Sequence, residues 1–271
     1  RRLPRTLQVP SPSSTSPPGA PSSRKALAPP DPSDVASQIA AQRRRWSRRA
    51  ESWNVGAAAN PGLVSTVDAV VEVSRVSPGE RVLDLGCGSG QVSIPLARLG
   101  AEVVAVDISP AMIGFLSDNV AREGLRTVVG RVSALEHLEL EPRSFDLVVS
   151  NYALHHLADE DKRRLIASIA GWLRPGGRLV IGDLMLGRGS DARDRAIIRE
   201  KILVLGRRGP GGWWRIAKNA WRFTARTAER PLSMGAWVAI LEEEGFRDVV
   251  ARPIVAEAAI VLGVCPTTSG A

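Results

Sequence analysis

The stretch Val82-Leu83-Asp84-Leu85-Gly86-Cys87-Gly88-Ser89-Gly90 constrains this chain more than any other. An apolar run carrying one acidic residue gives way to three glycines, at every second position. The pattern describes a buried strand that enters a tight loop and opens a helix. Glycine has no Cβ and tolerates positive φ, so such a loop lets backbone approach a ligand closely. The helix that follows adds unpaired N–H groups and a partial positive charge. The spacing is G-x-G-x-G, which differs from the G-x-G-x-x-G of dinucleotide sites.

Around the loop, strand and helix patterns alternate. Residues 63–76 have helical spacing and stop at Ser77-Pro78-Gly79. Strands are expected over 81–85, 102–107, 126–131, 144–150 and 178–183, with helices over 91–99, 110–124 and 159–173 between them. Pro110 suits a helix start, and Pro175-Gly176-Gly177 turns the chain into the fifth strand. Further helices are expected over 190–205, 213–227 and 233–244, and two last strands over 247–252 and 256–264. Near-continuous apolar strands between helices imply a sheet covered on both faces. The link between the last two strands is too short for a parallel crossover, so the final strand should run antiparallel. The expected fold is α/β: a doubly wound, seven-stranded, mostly parallel sheet with an antiparallel last strand.

Domain organisation follows composition. Residues 1–34 are rich in Pro and Ser, lack any apolar period, and read as a disordered tail. Residues 35–77 read as N-terminal helices, with Ile39, Trp46 and Trp53 near helical spacing and the Arg43–Arg45 and Arg48-Arg49 clusters toward solvent. Residues 78–271 form the main domain, with a helical cap inserted at about 186–230. The net charge of +8 is concentrated in residues 1–50 and 188–230, which leaves the rest of the chain acidic and argues against a DNA-binding surface. No apolar run approaches the roughly 18 residues of a membrane span, so stable membrane insertion is not expected. Two cysteines, Cys87 and Cys265, and three histidines provide neither a disulfide framework nor a metal site. The expected setting is a reducing cytoplasm.

The glycine loop resembles motif I of the class I S-adenosylmethionine-dependent methyltransferases, and other motifs of that Rossmann-like family follow in order over roughly residues 78–264. The resemblance implies S-adenosylmethionine as methyl donor and S-adenosylhomocysteine as product. It implies that Asp84, Gly86, Cys87, Gly88 and Gly90 form the donor loop. Asp107, ending the second strand, would bind the ribose hydroxyls, since a carboxylate accepts two O–H groups. Ile108 would pack on adenine. The family often carries Asp-Ala after the third strand; this chain has Ser133-Ala134, where serine or backbone would take the adenine amino group.

The acceptor side follows the fourth strand, at Ser150-Asn151-Tyr152-Ala153-Leu154-His155-His156-Leu157. Enzymes methylating DNA or protein amides carry Asn/Asp-Pro-Pro-Tyr/Phe there, so that class is disfavoured. The Ala-Leu-His-His-Leu run and the Leu173–Leu179 turn resemble the small-molecule branch, which includes quinone and natural-product methyltransferases. Asn151, Tyr152 and His155 are expected at the reaction centre, with His155, ahead of His156, as candidate base because imidazole titrates near neutral pH. Gly209-Pro210-Gly211-Gly212 before the Trp213–Phe223 helix suits a lid over the substrate. The expected activity is methyl transfer to a small, anionic or aromatic acceptor, at oxygen or carbon rather than nitrogen. The alternatives are an RNA or protein methyltransferase, and a non-catalytic donor-binding regulator.

Overall fold

A computed structural model describes residues 32–56, 59–187, 189, 192–207, 229–255 and 257–267. Seven strands form one sheet in the order β3-β2-β1-β4-β5-β7-β6. In chain order these are β1 (Arg81–Leu85), β2 (Glu102–Asp107), β3 (Val128–Val132), β4 (Phe145–Asn151), β5 (Leu173–Leu184), β6 (Arg247–Val255) and β7 (Ala258–Val264). The first five pair in parallel, and β7 lies antiparallel between β5 and β6. The doubly wound sheet with an antiparallel last strand is therefore the observed one.

The strand residues sort by pleat, since successive side chains leave a strand on opposite faces. Leu83, Leu85, Val148, Leu179 and Ile181 share a buried cluster with α5 (Asp159–Trp172) and α7 (Met234–Glu243). Val82, Leu147, Val149 and Val180 pack instead with α2 (Pro61–Ser74), α3 (Ser93–Arg98) and α4 (Pro110–Arg122). Many of these positions are fully buried, and truncating one, as in Leu83→Ala, should cost about 2–5 kcal/mol.

Helix starts follow local chemistry. Asn60 accepts hydrogen bonds from the amides of Gly62 and Leu63, with Pro61 in the first turn of α2. Ser109 caps α4 by accepting from the Met112 amide, with Pro110 following. Side-chain caps of this kind satisfy N–H groups that the helix cannot. The fifth strand starts earlier than its apolar pattern suggests. Leu173 pairs with Phe145, and the Pro175-Gly176-Gly177 segment is held by amide–carbonyl bonds to Cys265.

Two further helices are α1 (Pro32–Gly56), which packs against α4, and α6 (Ala192–Gly206). The proposed lid helix, residues 213–227, lies outside the described residues, as does the tail up to residue 31. Among the described residues no helix is long and apolar enough to cross a membrane.

Candidate active site

Sheet order reverses between β1 and β4: β1 leads to β2 on one side, and the chain returns from β3 to β4 on the other. Ligands of open α/β sheets bind outside the carboxyl ends of strands at such a point. A solvent-open cleft with about 760 Å³ of empty space lies there. The glycine loop forms its floor, and the turn after β4 one wall.

The loop needs its glycines. Gly86, Gly88 and Gly90 have φ of +74°, +53° and +99°. A Cβ on Gly86 would stand 2.2 Å from the Cβ of Ala153, so the donor loop touches the turn after β4. The amides of Gly86 and Cys87 both donate to the Val106 carbonyl, at 2.8 and 3.0 Å. Asp107 closes the other side: its Oδ2 accepts from the Gly88 amide at 3.0 Å and its Oδ1 from the Ser109 amide at 2.8 Å. The carboxylate thus braces the loop against its own turn and keeps lone pairs for further donors. Burial raises its pKa, partly offset by the Ser109 and Gly88 amides.

Asp84 is buried behind the loop and accepts a hydrogen bond from Ser93 at 2.5 Å. Burial pushes its pKa up to about 7, with the Ser93 bond opposing and Asp107 adding to the rise. The Cys87 thiol is driven well up by burial and by Asp84 and Asp107, so it stays an inert packing group.

Ile108 lines the cleft, as do Asp84, Gly86, Cys87, Gly88 and Asp107. Gly90 instead faces Leu116 and Ile94: a Cβ there would lie 2.6 Å from Leu116 Cδ1. Ser133 and Ala134 are not among the lining residues; the Ser133 hydroxyl donates to the Ala134 carbonyl at 3.1 Å. Leu135 and Glu136, one step further along, reach the cleft instead. Burial raises the Glu136 pKa. A short 3-10 turn at Leu135–His137 displaces the lining by these two positions, a feature that no motif announces.

At the end of β4, Asn151 and Tyr152 line the cleft. The Asn151 Oδ1 is buried without a hydrogen-bond donor. Tyr152 has φ of +52°, costly for a residue with a Cβ. Burial raises its pKa, a hydrogen bond with Thr66 opposes the rise, and Glu257 and Asp183 add to it.

The two histidines diverge. His156 lines the cleft, its ring 5.1 Å from that of Trp46. His155 turns inward and is buried, with Asp183 at the end of β5 holding it twice: Oδ2 accepts from the His155 amide at 2.9 Å and Oδ1 pairs with Nδ1 at 2.5 Å. The Arg230 amide donates to the His155 carbonyl at 2.6 Å. The carbonyl of Arg230 in turn accepts from the fully buried Lys162 ammonium. The imidazole rings of His155 and His156 are 3.9 Å apart. Asp183 and Lys162 escape sequence reasoning because the contacts that tie them to His155 and the Arg230 peptide span 28 and 68 residues. Among the described residues no group of His, Cys, Asp or Glu side chains could hold a metal ion.

Residues 82–177 match the model of a methyltransferase domain family. A ubiquinone biosynthesis O-methyltransferase of Xanthomonas euvesicatoria is 37% identical over 128 residues, covering 47% of this chain and 51% of that protein. A ribosomal protein L11 methyltransferase of Symbiobacterium thermophilum is 32% identical over 139 residues, covering 51% of this chain and 43% of that one. The chain spans about half the length of the curated relatives it matches. Among solved structures, magnesium protoporphyrin IX methyltransferase of Synechocystis PCC 6803 with bound S-adenosylmethionine superposes with a TM-score of 0.60 at 18% identity, covering 89% of this chain and 99% of that one. Residues 82–177 thus match a methyltransferase domain, and the sheet has the Rossmann-like fold of S-adenosylmethionine-dependent methyltransferases of known structure.

Proposed function

We propose that this chain transfers a methyl group from S-adenosylmethionine to a small organic acceptor, at oxygen or carbon rather than nitrogen. One observation carries the reading: a single cleft joins the glycine loop and Asp107 to Asn151, Tyr152 and His156. The donor and acceptor halves of a methyl transfer thus share one space. The absence of an Asn/Asp-Pro-Pro-Tyr/Phe motif after β4 favours a small molecule over a nucleic-acid or protein amide. Its two cysteines, both buried and free, suit a reducing cytoplasm.

The bound donor supplies a methyl group made electrophilic by its sulfonium. The remaining chemistry is positioning, which can lower a barrier by roughly 7–11 kcal/mol when reacting groups are aligned. Asp107 takes the ribose hydroxyls with the lone pairs that Gly88 and Ser109 leave free. Ile108 packs on the base. Asn151 Oδ1 accepts a hydrogen bond from donor or acceptor. Tyr152, held as a neutral phenol, donates one. His156 is the candidate base for an acceptor O–H or acidic C–H, and His155, turned inward, sets its neighbour's position through ring contact.

Calorimetric titration with S-adenosylmethionine should show one site, and Asp107→Ala should weaken it about 100-fold, near 2.7 kcal/mol. Radiolabelled donor incubated with fractionated extract should label a small, protease- and nuclease-resistant product. Label in RNA or protein would move the acceptor to a macromolecule, and no donor binding at all would remove the reading.

A further inference from the structure

The cleft has a wall that the family match does not include. Helix α1 lies outside residues 82–177, yet Gln42, Trp46 and Trp53 line the cleft. These positions are 4 and 7 residues apart, so at 100° per residue they fall within about 40° on one side of a helix. Ala50, on the same side, is buried. The Arg43, Arg44 and Arg48 side chains on the other faces are exposed, as is Arg49 at the edge of the cleft-facing side.

Trp53 reaches the donor loop itself. A Cβ placed on Gly88 would stand 3.4 Å from the Trp53 Nε1 and 3.2 Å from the Gln91 Oε1. Gly88 is the residue whose amide Asp107 holds. Trp46 meets Trp53 edge-on at 5.7 Å and His156 at 5.1 Å, so the two indoles run from the donor loop to the acceptor turn. Both are only half-buried, and they are the two large rings on a helix that is otherwise mostly polar. Polar contacts hold α1 to its neighbours at the seam: Ser47 and Ser109 hydroxyls lie 3.1 Å apart, and Asn119 donates to Asn54 at 3.3 Å. Two partly exposed indoles facing an open cleft leave apolar area that a ligand in the cleft would cover, and aromatic rings supply large contact area at low entropic cost.

We infer that α1 completes the methyl-donor site: Trp53, backed by Trp46, is the wall opposite the glycine loop, and the helix docks more firmly when the donor is bound. This rests on the donor reading above. The expectation is that Trp53→Ala weakens S-adenosylhomocysteine at least about tenfold by calorimetry, while Trp53→Phe stays within about threefold. Trp46→Ala should fall between. Hydrogen exchange of the unaltered chain needs no variant to fold: S-adenosylhomocysteine should slow exchange of α1 amides as well as those of the loop. Unchanged affinity in Trp53→Ala, or loop protection without protection of α1, overturns the inference while leaving the donor reading in place. A wild-type chain that binds no S-adenosylhomocysteine overturns the donor reading, and this wall with it.

Discussion

The two halves of the cleft are built differently. The donor half is a contiguous piece of chain, from Leu83 to Ser109, in which backbone does most of the holding: loop amides bind the Val106 carbonyl and the Asp107 carboxylate. The acceptor half is assembled from side chains distant in sequence. Asp183 of β5 and the Arg230 peptide hold His155, Lys162 of α5 holds that peptide, and Trp46 of α1 comes down on His156. Backbone geometry of this kind would tie the proposed donor half to one fixed ligand. Side-chain assembly lets the acceptor half vary while the same donor loop is kept.

The largest effect should come where the halves touch. Gly86→Ala would force a Cβ to 2.2 Å from the Ala153 Cβ at a φ of +74°. Strain and overpacking together should cost about 3 kcal/mol or more, read as a fall in the denaturation midpoint. Adding Ala153→Gly removes the clash but not the unfavourable φ, so the double variant should recover part of the loss. Full additivity in that cycle would mean that the two halves are not in contact.

The contrast also explains what the sequence could say. The meeting of the glycine loop, Asp107 and Ile108 at one cleft was readable because it depends on neighbours along the chain, at fixed spacing. The strand order was readable because apolar runs between helices leave few topologies. His155 was expected at the reaction centre ahead of His156, but an adjacent pair gives no sign of which ring turns inward. That choice belongs to Asp183, a residue with no motif of its own. Ser133 was drawn from the family pattern, whereas the turn at Leu135–His137 brings Leu135 and Glu136 to the cleft. Trp46 and Trp53 were seen as helical spacing, but what they face depends on where α1 docks.

The next effect probes the donor half by pH. Asp84 has a folded-state pKa of about 7 against an ordinary value of 3.8. The folded chain therefore holds a proton that the unfolded chain gives up, and the stability this contributes is complete below pH ~4 and lost as pH rises through about 7. At roughly 1.4 kcal/mol per unit the swing is a few kcal/mol. Asp84→Asn keeps an acceptor for Ser93 and removes the titration. Its stability relative to the wild type should therefore climb between pH 5 and 8 in paired melting curves. A constant difference would show that Asp84 is ionised throughout.

Asp183→Asn tests the acceptor half. It weakens the paired bonds to the His155 amide and Nδ1, and loss of charge-assisted bonds in a buried site should cost about 1–3 kcal/mol. Because no Asp183 contact reaches the glycine loop, S-adenosylhomocysteine affinity should change less than about twofold, while labelled methyl transfer falls at least tenfold. Equal losses in binding and transfer would mean that the two halves cannot be separated.

The smallest effect is expected at Ser133, and it discriminates between family pattern and local geometry. Its hydroxyl is spent on the Ala134 carbonyl, and its amide donates to the Asp107 carbonyl at 3.0 Å whatever the side chain. Ser133→Ala removes one local, half-exposed bond, worth about 0.5 kcal/mol, and donor affinity should be unchanged. Glu136→Gln alters a side chain that lines the cleft and whose pKa burial has raised, so donor affinity should shift by about three- to tenfold. If calorimetry instead finds the loss in Ser133→Ala and none in Glu136→Gln, the serine hydroxyl turns to the adenine when the donor binds. The donor half would then hold the adenine through the residue that the family pattern names, and the hydrogen bond from Ser133 to the Ala134 carbonyl would be one that donor binding breaks.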